Sequence, residues 1–286
     1  MNRMDDYLKR HPDRKHFIPF ITAGDPNPEA TIDLALMLQE LGANVLELGI
    51  PYSDPLADGP VIQRASIRAL AGGMTLKKAM ALVPLMRENG LKIPVIIFTY
   101  YNPLLQLNER KFIETAPSYG IDGLLIPDLP FEESAGVREA CREVGLKLIS
   151  LVAPTTSPQR LKMIAEAAEG FLYCVSSLGV TGERSRFHAD VFAFLARVGA
   201  VSAVPIEVGF GVSNAEQIDR LKDHCDGFVA GSAIIKEIEA QAVELARPDT
   251  RPQAIQKIKS RLSEKLLTSG KGRAVHERTI ETHRTL

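Results

Sequence analysis

Tryptophan is absent from the 286 residues, and only three cysteines occur: Cys141, Cys174 and Cys225. Three thiols without a CxxC pair are too few for a disulfide framework, so a reduced, cytosolic chain is expected. The missing tryptophan decides nothing about fold, but it removes some interaction surfaces and most intrinsic fluorescence. No apolar run approaches the roughly 20 residues of a membrane span. The opening stretch MNRMDDYLKRHPDRK is polar, so no signal peptide is expected. A formal net charge of −1 leaves no electrostatic footprint for nucleic acid. None of the six histidines (His11, His16, His188, His224, His276, His283) ends a predicted strand or pairs at metal-ligand spacing. That argues against a catalytic zinc, and no metal is expected. No lysine stands at a predicted strand end, which argues against Schiff-base chemistry.

What is present is a regular alternation. Short apolar, β-branched runs occur at 17–21, 45–49, 94–100, 123–127, 146–152, 170–176, 204–209 and 227–231. Each is followed by a stretch with helical spacing. PEATIDLALMLQELG places Ile32, Leu34, Leu36, Leu38 and Leu41 on one broad face and ends at a glycine. ERKFIETAPSYG, EESAGVREACREVG and SPQRLKMIAEAAEG also end in glycine, and Ser157-Pro158 and Asn214 read as helix starts. Runs that are apolar throughout suit strands buried on both faces. The pattern predicts a single (β/α)8 TIM barrel with extra short helices, one of them over 58–74. An open doubly wound sheet is the alternative, but it would more often show GxGxxG after the first strand. Here TAGDPNP follows instead. With 45% hydrophobic residues the chain can fill one large core, and no internal domain boundary is visible. The barrel is expected over 1–267, with 268–286 a flexible tail of weak periodicity.

Barrel chemistry sits at the C-terminal strand ends. Glu47 lies there among Leu46, Leu48 and Ile50, followed by Asp54 and Asp58 on a Pro- and Gly-rich loop. An acid in an apolar strand should have a raised pKa, which suits a group that gives and takes protons. It could equally be a structural acid paired inside the barrel. Asp58 could be the N-cap of the extra helix, and Asp54 before Pro55 a turn acid. Tyr173 could be ordinary core, and Asp128 could simply stabilise its turn. Gly209 and Gly211 in GFG, and Gly231-Ser232 opening SAIIKEIE with Ser232 as N-cap, fit the frequent barrel phosphate site. They could also merely close tight turns. The residues alone point to a barrel lyase or isomerase acting on a phosphorylated small molecule.

Taken together, FIPFITAGDP, LELGIPYSDPLADGP, TYYNP, GVTG, GFGVS and GSAIIK resemble the tryptophan synthase alpha subunit family over roughly residues 14–266. The resemblance implies retro-aldol cleavage of indole-3-glycerol phosphate to indole and glyceraldehyde 3-phosphate. It implies Glu47 as the proton-transfer group and Asp58 as acceptor of the indole N–H. Tyr173, Thr181, Gly182, Phe210, Gly211, Gly231 and Ser232 match its substrate positions. No cofactor is implied in this chain. The implied partner is a beta subunit holding pyridoxal phosphate, in an alpha2beta2 assembly that receives indole through a tunnel. Asp54, Pro55 and Asn102 would face that partner. Two departures stand out: Tyr52 where Phe is common, and Ser177-Leu178 where an Arg often begins the lid. The alternatives are a stand-alone indole-3-glycerol-phosphate lyase and a catalytically silent activator of the beta subunit.

Overall fold

The computed structural model describes residues 2–10, 15–175, 190–209 and 211–267. The elements run α1 (Arg3–Arg10), β1 (His16–Thr22), α2 (Pro28–Glu40), β2 (Leu46–Gly49), α3 (Pro60–Ala71), α4 (Leu76–Glu88) and β3 (Val95–Phe98). Then come α5 (Tyr101–Leu107), α6 (Glu109–Thr115), β4 (Gly123–Leu125), α7 (Ala135–Val144), β5 (Lys147–Leu148), β6 (Ser150–Val152), α8 (Pro158–Ala167) and β7 (Leu172–Val175). The last are α9 (Asp190–Gly199), β8 (Ile206–Gly209), α10 (Ala215–Leu221), β9 (Gly227–Ala230), α11 (Ser232–Glu239), α12 (Ala242–Leu245) and α13 (Arg251–Leu262).

All strand pairs are parallel, in the order β5-β4-β3-β2-β1-β9-β8-β7-β6. The two edges, β5 and β6, are separated only by Ile149, whose N–H donates to Leu124 O at 2.9 Å. The run expected as one strand over 146–152 therefore breaks at Ile149 and changes partner there, from β4 to β7. The nine segments amount to eight strand runs closing a barrel, and closure removes the exposed edges of an open sheet.

Local chemistry explains most helix ends. Asn27 Oδ1 accepts from Ala30 N at 2.8 Å, Ser157 Oγ from Arg160 N at 3.4 Å, and Asn214 Oδ1 from Gln217 N at 3.0 Å. Gly42, Gly120 and Gly145 turn the chain at positive φ after their helices. Gly170 differs from expectation, because α8 ends at Ala167. A Cβ at Gly170 would lie 2.6 Å from Met4 Sδ, so this glycine makes room for a side chain arriving from the N-terminus.

That side chain belongs to α1, which the polar opening stretch conceals. Met4 and Leu8, four residues apart, are both buried. Met4 also packs at Gly123, where a Cβ would stand 3.0 Å from its Cε. Asn2 Nδ2 donates to Asp122 O and Gly145 O, and Arg3 pairs with Asp122 at 2.6 Å. The helix thus plugs the floor of the barrel, opposite the catalytic face. Replacing Met4 with Ala should destabilise the fold by about 2–4 kcal/mol, the usual cost of emptying a fully buried site. Urea unfolding measures it, and a change below about 0.5 kcal/mol would mean that α1 does not seal the floor.

Candidate functional site

Glu47 is the second residue of β2, opposite Phe20 on β1 and Ile96 on β3. Its residue is only 2% exposed, and Oε1 has no hydrogen-bond partner among the described residues. Burial, and then the charge of Asp58, push its carboxyl up to about 8. Asp58 lies on the β2–α3 loop and is buried too. Burial raises it to about 6, while a hydrogen bond from Tyr100 pulls the other way. The Tyr100 hydroxyl donates to Asp58 and accepts from Ala57 N at 3.0 Å, so one phenol holds both the carboxylate and its loop. Gln63 Nε2 donates to Asp58 O at 2.8 Å from within α3. At neutral pH the site holds one protonated acid and one carboxylate, two like groups separated by their surroundings.

Tyr173, on β7, is buried beside both acids. Burial and the charges of Glu47 and Asp58 hold its hydroxyl far above the usual phenol range. Two strand-end glycines make space for the rings around the site. A Cβ at Gly209 would run into the Tyr173 phenol, and one at Gly49 into the Phe20 ring. Phe20, Phe98 and Tyr100 meet edge to face, with centroids 5.6 and 6.3 Å apart.

The extra helix starts from Gly59, with no side-chain cap, so Asp58 is not its N-cap and its carboxylate is left for the site. Likewise Gly231, not Ser232, caps α11, and Ser232 is the first helical residue. β8 and β9 are neighbours, which brings the loops carrying Gly211 and Gly231 side by side. Gly211 has φ +96°, a conformation that glycine adopts without strain. Gly211, Gly231 and Ser232 are all half-buried, the last two at the N-terminal end of α11. Thr181, Gly182 and Phe210 lie outside the described residues, as do Ser177-Leu178 and 268–286.

Asp54 and Asn102 are exposed on the rim, with Pro55 half-exposed between Asp54 and Leu56. Asn102 Nδ2 donates to Tyr52 Oη at 3.1 Å, and Tyr52 stacks on Tyr100 with centroids 5.2 Å apart. Leu56 and Leu105, 82% and 52% exposed, add apolar surface that the motif reading overlooked. Asp128 accepts from Tyr101 N at 2.9 Å, so its carboxylate reaches the first residue of α5 and not only its own turn.

Sequence reasoning placed Tyr100 at a strand end but gave it no task. The period of two was the available signal: Phe98 faces inward, so Tyr100 does too, and Tyr101 does not. A buried pair was also missed. His16 Nδ1 lies 2.6 Å from Glu207 Oε1, between the first residue of β1 and β8. Burial pushes Glu207 up to about 7 against the pull of His16. Being at the N-terminal end of the strands, this pair belongs to the stability face of the barrel. No cluster of metal-ligating side chains occurs among the described residues.

Ionising Glu47 opposes folding. Its folded value, about 8, exceeds its free value of 4.5. The protonated form costs nothing below pH 4.5, and stability is lost as pH rises from there through about 8. A tenfold change in proton affinity is about 1.4 kcal/mol, so the loss is a few kcal/mol. Glu47→Gln should therefore gain thermal stability over the native protein increasingly across this window. A melting-temperature gap independent of pH between 5 and 8.5 would contradict the burial of this carboxyl.

Comparison with known proteins agrees with this geometry. Residues 8–264 match the family profile of the tryptophan synthase alpha chain. The tryptophan synthase alpha chain of Shouchella clausii is 64% identical over 242 residues, covering 85% of this chain and 90% of that one. The one from Bacillus subtilis is 55% identical over 249 residues, covering 87% and 93%. A crystal structure of the alpha subunit from Legionella pneumophila superposes with a TM-score of 0.78 at 36% identity, covering 90% of this chain and 99% of that one. A Pyrococcus furiosus structure, described as showing mutual activation of the tryptophan synthase a2b2 complex, gives 0.78 at 37%, covering 87% and 96%. By sequence along nearly its whole length and by fold, this chain belongs to the tryptophan synthase alpha chain family.

Proposed function

We propose that the barrel, residues 1–267, is one catalytic unit that cleaves indole-3-glycerol phosphate to indole and glyceraldehyde 3-phosphate. The observation that carries this reading is the buried Glu47, its Oε1 without a partner among the described residues, close to the buried Asp58 that Tyr100 holds. Cleavage of the carbon–carbon bond needs both. Glu47 gives its proton to indole C3, and the positive charge that develops at the ring nitrogen is met by Asp58, which accepts the N–H. The Glu47 carboxylate then takes the proton of the hydroxyl next to the ring. The bond from C3 breaks, its electrons return to the ring, and neutral indole and an aldehyde separate. Glu47 ends protonated, as it began, so no net proton is consumed.

Tyr173 walls the indole end. The phosphate lies against Gly211, Gly231 and Ser232 at the N-terminus of α11, and the family resemblance adds Gly182 and Phe210 to that end. Thr181, outside the described residues, is assigned to substrate binding by the family resemblance alone. This chain needs no cofactor of its own for these steps. A beta subunit holding pyridoxal phosphate receives the indole, in an alpha2beta2 assembly docked on the rim of Asp54, Pro55 and Asn102. Exposed Leu56 and Leu105 on the same rim support a partner there over a stand-alone lyase.

Indole release tests the chemistry. Glu47→Gln should cut turnover by roughly 10²- to 10⁴-fold while circular dichroism stays native. Activity needs Asp58 ionised and Glu47 protonated, so kcat/KM should fall below about pH 6 and again above about pH 8. Near-native turnover in a folded Glu47→Gln variant removes Glu47 from the mechanism.

Docking is tested with a beta-subunit titration. Asp54→Ala should lower the maximal activation or raise its half-saturation more than it lowers basal rate. Identical activation curves for variant and native protein would put the interface elsewhere.

A further inference from the structure

Helix α3 does more than follow the Asp58 loop. Its Gln63 holds the Asp58 carbonyl, and one turn further its basic face grips two other parts of the barrel mouth. Arg68 Nε and Nη2 each donate at 2.8 Å to the two carboxylate oxygens of Asp25, in the turn after β1. Arg68 Nη1 donates to Glu239 Oε1 at 2.7 Å. Arg64, four residues earlier, forks onto both oxygens of the same Glu239 at 2.7 and 2.8 Å. Glu239 is the last residue of α11, whose first residue is Ser232. α3, α11 and β1 also pack against one another. One guanidinium therefore ties together the helix that holds Asp58, the helix that begins at Ser232, and the strand between them.

Exposed ion pairs contribute little to stability. This one differs in its geometry. The Asp25 side chain is fully buried, and Arg68 is only 25% exposed. A planar fork on a buried carboxylate fixes angle as well as distance.

We propose that Arg68 is a positioning residue that sets the spacing between the Gly231–Ser232 anchor and the Asp58 carboxylate. It governs how the two ends of a substrate are held relative to each other, not how tightly either end is held alone. The inference rests on the reading that phosphate binds at Gly231–Ser232 and the ring N–H at Asp58. A ligand gripped at both ends gains effective concentration over its fragments, and loses that gain when the grips are misplaced.

The test compares a fragment with a linked ligand on the full chain. Titration calorimetry gives Kd for glycerol 3-phosphate and for a non-cleavable analogue joining indole and phosphate through three carbons. Indole release gives kcat. In Arg68→Met, glycerol 3-phosphate should bind within about twofold of native. The linked analogue should weaken at least fivefold, and kcat should fall about tenfold, in line with the cost of small misplacements. Arg68→Lys should not rescue, because an ammonium cannot fork onto Asp25 and reach Glu239 together. Arg68→Met strands a buried carboxylate and could fail to fold. Glu239→Ala leaves the Arg68–Asp25 fork intact and removes the acceptor through which Arg68 and Arg64 hold α11, so it decides the matter in that case. It should show the same selective loss in weaker form. Equal weakening of both ligands, or an unchanged linked analogue in folded Glu239→Ala, overturns the proposal. Failure of the native protein to bind glycerol 3-phosphate would instead overturn the site reading on which it rests.

Discussion

A carboxyl group inside a parallel barrel is the constraint on which the rest of this structure turns. Parallel strands covered on both faces are built from apolar residues. Glu47 breaks that rule on β2 with nothing among the described residues to satisfy its Oε1. Such a group avoids the cost of an unpaired buried charge by keeping its proton. Asp58 reinforces the effect from the neighbouring loop, and its own charge is kept by the phenol of Tyr100. Tyr100 also holds the Ala57 N–H, so the electrostatics of the pair and the shape of the loop depend on the same hydroxyl.

The framework keeps that arrangement from relaxing. Ile149 joins the last two strands of the order, β5 and β6, so no long strand edge is left exposed. Met4 fills the floor between Gly123 and Gly170. Above it, Gly49 and Gly209 yield their side-chain space to Phe20 and Tyr173. The two ends of the barrel thus divide the work: buried packing and the His16–Glu207 pair at the floor, paired acids and the N-terminus of α11 at the mouth.

Local features were legible in the sequence. The strand runs, the caps at Ser157 and Asn214, and Glu47 as an oddity among apolar neighbours all follow from residues close together in the chain. Where the signal was weaker, one residue decided the error. Ser232 and Asp58 both have the chemistry of an N-cap, but each stands beside a glycine that takes the position. What sequence could not reach was contact across the barrel. His16 and Glu207 are 191 residues apart, and Arg68 and Glu239 are 171 apart. Met4 reads as part of a polar leader until the floor it fills is known. The rim leucines, Leu56 and Leu105, look like ordinary loop residues until their exposure beside the site is seen.

The central claim is that Glu47 keeps its proton at neutral pH while Asp58 does not. Carbon-13 labelling of the glutamate side chains, with Glu47→Gln to assign the signal, lets NMR follow that carboxyl directly. The account predicts a carboxyl carbon that titrates near pH 8 in the native protein and shifts lower when Asp58 is replaced by Asn. A midpoint near the ordinary value of 4.5, unmoved by Asp58→Asn, would contradict it.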